Sequence, residues 1–485
     1  RPAGLGEVAR ASRRRHAQID GSRIQNPAYR HSRNFLLFSN YVKLAQIVGR
    51  LGMLCLCRDN MTNYLRRNEE TMSVLRGNAI FGQSGGPTAV INASAAGVIE
   101  TALRQTGVID KVYGAAHGIV GILNEVFYDM GQEDPQELLY LRTTPSSALG
   151  SCRYRLADPK KDDTDYLRLL EVFKKYNIRY FFYNGGNDSM DTCSKVSNYM
   201  REHGYECRVM GVPKTIDNDL YGTDHCPGFA SAAKYIATAT MEVYLDSRVY
   251  DTGMITVLEI MGRNAGWLAA ATALASYKGY GPDLIYLPEV PFDLDRMVED
   301  VSRIYKQTGK VIVAVSEGVR TPDGRYIPEL IGTPKIDAFG HKQMGGAAAI
   351  LAEYLADYID TKIRAIEFSL LQRCAAHCAS AIDVEEAYLA GKTAVEEAIS
   401  GTTDYMVGFE RLPGSEYGIK TILIPLQDVA NAEHLVPREW INTEGNFVNQ
   451  GYIDYALPLI AEESATVKED GLPRFARLRK VLATR

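Results

Sequence analysis

Three times in this chain a short apolar run ends in a cluster of glycines, hydroxyls or carboxylates. Ala79 to Gln83 runs into Ser84-Gly85-Gly86-Pro87-Thr88, and Tyr180 to Tyr183 runs into Asn184-Gly185-Gly186-Asn187-Asp188-Ser189-Met190. Residues 208–212 run into Pro213-Lys214-Thr215-Ile216-Asp217-Asn218-Asp219. Helical patterns follow at Val90 to Leu103, at 191–202 and at Phe229 to Val243. Strand, turn and helix in series demand parallel strands joined by crossovers, and such sheets bind ligands outside the carboxyl ends of their strands. The chain therefore reads as an α/β protein with one continuous site along a sheet edge.

The residues at that edge suit phosphate chemistry. Asp217 can take a proton from a substrate hydroxyl, Asp219 or Asn218 can hold a divalent metal through oxygen, and Lys214 can neutralise a phosphate. An Asx-type turn, in which Thr215, Asp217 and Asn218 bond their own backbone, uses the same residues without any ligand. Gly85 and Gly86 open a helix N-terminus where backbone N–H groups are free for an anion, although a plain βα turn accounts for two glycines equally well. Arg153 and Arg155 lie in the loop SALGSCRYR, a place where arginines are usually just solvated.

Further along, Asp165 to Lys175 is an amphipathic helix, and Met254 to Ile260 is a buried strand ending in Met261-Gly262-Arg263 before an alanine-rich helix. Arg263 is placed to fork onto a phosphate or carboxylate. Strands follow at Asp283 to Leu287, closed by Pro288-Glu289, at Lys310 to Ser316, closed by Glu317-Gly318, and at Ile363 to Phe368, with Arg364 inside it. Helices are expected at Asp293 to Gln307, 343–358 and Asp383 to Ile399, a loop over 321–340, and strands at 406–409 and 420–424. Two sets of strand-helix units suggest two similar lobes.

Composition excludes several classes. The first 71 residues carry 13 Lys/Arg against 5 Asp/Glu, whereas the remainder carries 41 against 54, so the body is acidic and shows no nucleic-acid surface. An acidic protein with an anionic substrate must gather its cations in one cleft. The stretch Phe35 to Cys57 is interrupted by Ser39, Asn40, Lys43 and Arg50, too polar for a bilayer span, so no membrane attachment is expected. Eight scattered Cys without paired CxxC spacing indicate free thiols and a reducing compartment. Residues 1–71 lack sheet-and-helix alternation and are expected to be a basic leader outside the fold.

Taken in order, Gly85-Gly86, GGNDS, PKTIDND, MGR, PE and LQR resemble the ordered motifs of the phosphofructokinase family, over about residues 77–400, and specifically its pyrophosphate-using group. The resemblance implies two Rossmann-like lobes with parallel-type sheets: 72–228 plus 372–400 for the donor phosphates, 229–371 for the sugar phosphate, and 401–485 as a C-terminal extension. It implies Mg²⁺, diphosphate and fructose 6-phosphate as ligands, a homo-oligomer (dimer or tetramer), a cytoplasmic location and a place in glycolysis. By motif, Asp217 resembles the base for the 1-hydroxyl, with Thr215 and Ile216 beside the sugar phosphate. Met261, Gly262 and Arg263 match the MGR sugar site, Glu289 a sugar-hydroxyl contact, Arg364 and Arg373 the 6-phosphate cations, and Leu370, Leu371 and Gln372 the segment leading to Arg373. Gly85 matches the donor-phosphate glycine, and Arg153 an arginine near the transferred group.

Donor choice hangs on Asp188 and Lys214, where ATP-using relatives commonly have glycine. The resemblance gives Asp188 the space and charge of a nucleotide α-phosphate, and Lys214 a contact to diphosphate. Three departures stand out. Asn187 replaces the usual metal-linked Asp, leaving Mg²⁺ to Asn oxygen, Asp219 and water; Met254 stands where many relatives have an Arg reaching a neighbouring subunit; and Cys374-Ala375-Ala376 replaces the glycine pair after Gln-Arg. Two other readings compete: an ATP-dependent phosphofructokinase with an altered site, and a non-catalytic regulatory subunit, which has no physical need for the base.

Overall fold

The computed structural model describes residues 74–330, 345–430 and 432–484. The expected leader, the stretch Phe35 to Cys57, and part of the expected 321–340 loop and 343–358 helix lie outside the described residues.

The first sheet has seven strands in the order β11-β10-β5-β4-β1-β2-β3. Its centre is the parallel trio β1 (Gly77–Gln83), β4 (Ile178–Gly185) and β5 (Arg208–Pro213). Gln83 stands opposite Asn184 and Gly185 opposite Pro213, so the three polar turns emerge level on one edge. Backbone bonds lock them together: Ser84 N donates to Asn184 O at 2.9 Å, and Lys214 N to Gly185 O at 3.1 Å. Outside β1 lie β2 (Ile109–Ala115), parallel, and β3 (Phe127–Asp129), antiparallel, neither of which is expected from the sequence. Asp110 and Lys111 break the apolar run of β2, and both are exposed.

Helix α1 (Ile91–Leu103) follows β1, and α2 (Asn187–Glu202) follows β4. Helix α3 (Phe229–Asp246) leads into the second sheet, and α4 (Ala381–Ser400) returns to the first. There α4 crosses α1 so closely that a Cβ on Gly97 would fall 2.1 Å from Tyr388 O, and one on Gly391 2.2 Å from Ser94 O. The strands β10 (Tyr405–Arg411) and β11 (Ile419–Pro425), assigned by the sequence reading to an extension, close the far edge of the first sheet next to β5.

The second sheet is all parallel, in the order β7-β8-β6-β9, from Leu284–Tyr286, Lys310–Ser316, Met254–Ile260 and Lys362–Glu367. Its core takes in Trp267, Phe229 and, from the chain after residue 435, Val436, Ile441, Tyr452 and Tyr455. Those last two belong to helix α5 (Gln450–Ala456). The α/β organisation with two parallel-type sheets flanked by helices is thus present, with antiparallel strands at both edges of the first sheet. Among the described residues no helix is long and apolar enough to cross a membrane, and six cysteines are free thiols.

Candidate active site

A cavity of about 620 Å³ lies against the level ends of β1, β4 and β5 and receives the turn after β6. Asp188, Lys214, Asp217 and Arg153 all line it. Gly85 and Gly86 also line it. Gly85 has φ of 74°, its N–H donates to Cys152 O at 3.0 Å, and its carbonyl accepts from Ser151 Oγ at 2.7 Å. A Cβ on Gly86 would stand 3.0 Å from an Arg373 guanidinium nitrogen and 3.9 Å from one of Arg153. Bare glycine backbone therefore lets both arginines approach the turn after β1.

Asn187 and Asp188 begin α2 on the cavity wall, where the positive end of the helix meets the acid. Asn187 Oδ1 is buried and accepts no hydrogen bond from the protein. Asp219 lines the same cavity, whereas Asn218 points inward and is wholly buried, which removes it from the candidate metal ligands. Among the described residues no three His, Cys, Asp or Glu are grouped to hold an ion by themselves.

Burial sets the proton affinities. It raises the Asp217 carboxyl, with Lys214, Arg263, Arg153 and Arg373 pulling the other way. Asp219 is pushed up to about 7 by burial and then by the charges of Asp217 and Glu433. Lys214 is brought down to about 8 by burial, against the pull of Asp217 and Asp219. A carboxylate with raised proton affinity, next to an ammonium with lowered affinity, suits proton transfer near neutral pH.

Thr215, Ile216, Met261, Arg263 and Arg373 line the cavity as well. Gly262 shapes the turn: φ is 138°, a Cβ there would meet Ala265 O at 2.6 Å, and Ser316 Oγ donates to Gly262 O at 2.6 Å. Gln372 is buried and accepts from Met261 N at 3.2 Å, so it positions the turn without lining the cavity. Leu370 and Leu371 are exposed and do not line it.

Two expected contacts lie elsewhere. Glu289 is absent from the lining; its Oε1 accepts from Gly266 N at 2.8 Å and Val436 N at 3.0 Å. Glu317 occupies the cavity instead, with Gly262 N donating to its Oε1 at 3.5 Å and burial, then Asp217, pushing its carboxyl up to about 7. Glu289 is expected here from its match to the PE motif, whereas Glu317, which also follows the end of a strand, carries no motif. Arg364 sits in a separate hollow of about 260 Å³ with Met254, Thr256 and Glu242. The chain beyond residue 425 also supplies Ala430, Ala432 and Glu433 to the cavity, a contribution with no signal in the sequence.

Residues 78–396 match the Phosphofructokinase family model. The chain belongs to the phosphofructokinase family. Within it, the chain is 45% identical over 406 residues to the pyrophosphate--fructose 6-phosphate 1-phosphotransferase of Halomonas elongata, covering 83% of this chain and 96% of that protein. The enzyme of the same name from Methylococcus capsulatus is 43% identical over 404 residues, covering 83% and 96%. The crystal structure of the pyrophosphate-dependent phosphofructokinase from Nitrosospira multiformis superposes with a TM-score of 0.77 at 42% identity, covering 84% of this chain and 98% of that one.

Proposed function

We propose that this protein is a pyrophosphate–fructose 6-phosphate 1-phosphotransferase. It moves a phosphoryl group from diphosphate to the 1-hydroxyl of fructose 6-phosphate, giving fructose 1,6-bisphosphate and phosphate, and runs in both directions because the donor is low in energy. The observation that carries the reading is that a buried Lys214 and Asp188 line the same cavity as Asp217.

Asp217 accepts the proton as the hydroxyl attacks. Phosphoryl transfer needs little covalent chemistry from the protein, so the rest is alignment and charge: Lys214, Arg153 and Arg263 spread the negative charge of the transferring group. Glu317 and the Met261 to Arg263 turn face the sugar, and Arg373 its phosphate. A nucleotide α-phosphate placed against Asp188 meets a like charge, a penalty of roughly 4 kcal/mol at contact for an effective dielectric near 20. Diphosphate avoids that position, and the point charge of Lys214 suits a compact anion.

Mg²⁺ fits the oxygens present. The orphaned Asn187 Oδ1 and the Asp219 carboxylate would hold it, and phosphate oxygens and water fill the remaining positions of an ion that rarely takes a full protein cage. Bound there, it would neutralise charge on the diphosphate. Arg364 lies away from the cavity, so a role toward the 6-phosphate requires the site of a neighbouring copy, which supports a homo-oligomer. A cytoplasmic location accompanies the glycolytic reading. Assay of the purified protein with fructose 6-phosphate and either diphosphate or ATP tests it: bisphosphate formation from diphosphate is expected, and formation from ATP alone would refute it.

A further inference from the structure

Asp217 sits on a turn bent by its neighbour. Asn218 holds φ of 58°, a left-handed conformation that a non-glycine residue keeps when local bonds support it. Its amide is used at both ends: Oδ1 accepts from Cys226 N at 2.8 Å, and Nδ2 donates to Tyr455 Oη at 2.8 Å. The same hydroxyl donates to Asp224 O at 2.8 Å. A phenol has one proton, so the roles are fixed: Tyr455 gives its proton to Asp224 and receives one from Asn218. One side chain thus closes the turn from 218 to 224.

Tyr455 is itself anchored. It comes from α5, 237 residues beyond Asn218, and its ring centroid lies 5.1 Å from that of Trp267 and 5.3 Å from that of Trp440. The Arg411 guanidinium covers it at 4.7 Å, and Arg411 also donates to Tyr455 O at 2.9 Å. Trp267 follows directly on the turn that carries Arg263. The hydroxyl therefore touches the base-bearing turn while the ring rests on the sugar lobe.

We propose that Tyr455 is a positioning residue for Asp217, fixing the base against the sugar site through Asn218. It does not line the cavity and touches no reacting atom. Without the hydroxyl, Asn218 Nδ2 and Asp224 O lose their shared partner, and one of the two bonds made by the Asn218 side chain is gone. Substrate contacts on the opposite wall are untouched, so the loss falls on turnover. Misplacing a catalytic group by about 1 Å costs up to about 10²-fold, and a partly restrained turn costs less.

The inference rests on the phosphotransferase reading, which wild-type turnover checks separately. Steady-state kinetics with diphosphate and fructose 6-phosphate, together with Tm, are measured for wild type, Tyr455→Phe and Tyr452→Phe. Tyr455→Phe should lower kcat about ten-fold with both KM values within about two-fold. Tyr452→Phe loses a buried bond from the same helix, to Trp267 O at 2.6 Å, and leaves the turn alone; its kcat should stay within about two-fold. Unchanged kcat in Tyr455→Phe, or equal losses in both variants, would overturn the inference as general destabilisation. Should Tyr455→Phe fail to fold, Asn218→Gly accepts the same φ and gives up both amide bonds; full kcat there would overturn it as well. Wild type without turnover would instead count against the functional reading on which it rests.

Discussion

A Cβ on Gly85 would stand 3.2 Å from Nζ of Lys214. Gly85 and Lys214 are therefore in near contact, although 129 positions separate them in the chain. The glycine turn after β1 and a buried ammonium thus line one side of the same cavity.

Gly85→Ala meets two costs at once. The φ of 74° is strained for any L side chain by about 1–2 kcal/mol, and the methyl crowds Nζ. We expect kcat/KM for diphosphate to fall about ten-fold or more while the KM for fructose 6-phosphate holds. Steady-state kinetics on the variant check it, and an unaltered diphosphate dependence would remove Gly85 from the donor site.

Asp217→Asn keeps the shape of the base and removes its proton affinity. Turnover should drop by about 10²-fold or more, with sugar-phosphate binding retained, because a general base typically contributes 10²–10⁴. Binding is read by calorimetry on the inactive variant. Near-normal turnover would mean that another group takes the proton.

The two strand-end glutamates separate cleanly. Glu317→Gln should raise the KM for fructose 6-phosphate about ten-fold, since hydrogen bonds to a charged group contribute about 1.5–3 kcal/mol. Glu289→Gln should act on Tm instead, because Glu289 holds Gly266 N and Val436 N. Reversed effects would restore Glu289 to the sugar site.

That pair also shows where sequence legibility ends. Apolar runs ending in glycine or acid revealed the centre of the first sheet and most of the cavity, because strand ends and phosphate-binding turns are local features. Strand order is not local. β8 pairs directly with β6, so Glu317 N reaches Ile260 O at 2.8 Å beside the MGR turn, whereas β7 lies one strand further out with Glu289 at its end. Arg364 stands opposite Thr256, midway along β6 and away from the carboxyl edge. Glu433 reaches the cavity, and Tyr455 the Asn218 turn behind it, by long-range packing of a tail whose residues look unremarkable one by one. Strand β2, one in from the edge strand β3, was hidden by the exposed pair Asp110 and Lys111.

A buried charge network gives a pH prediction. His225 Nδ1 meets Asp224 Oδ1 at 2.9 Å and its Nε2 meets Glu386 Oε2 at 2.6 Å; Arg411 bonds Asp224 at 2.9 Å and Tyr417 bonds Glu386 at 2.6 Å. Burial pulls the imidazolium down, but Asp224 and Glu386 more than offset it and raise it to about 9 from 6.5. A raised folded value means stability present in full below about 6.5 and lost as pH rises through about 9. Glu386→Gln removes one partner, so the Tm gap between wild type and variant should shrink across that window. Lys214, Asp219 and Glu317 titrate in both proteins and cancel in the gap. A gap that is constant from pH 6 to pH 10 would mean His225 is neutral in the fold.

The donor assignment is tested most directly by kcat/KM for diphosphate and for ATP in wild type, Asp188→Gly, Lys214→Gly and the double variant. Removing Lys214 takes away the cation that diphosphate needs, and removing Asp188 opens the space its charge denies to an α-phosphate. Because both side chains face one anion, their effects should couple rather than add. Wild type should be active with diphosphate, and the double variant should show a steep fall in that activity and a rise with ATP from near zero without full rescue. Diphosphate activity that survives the loss of both side chains would contradict the donor assignment and favour the ATP-dependent reading.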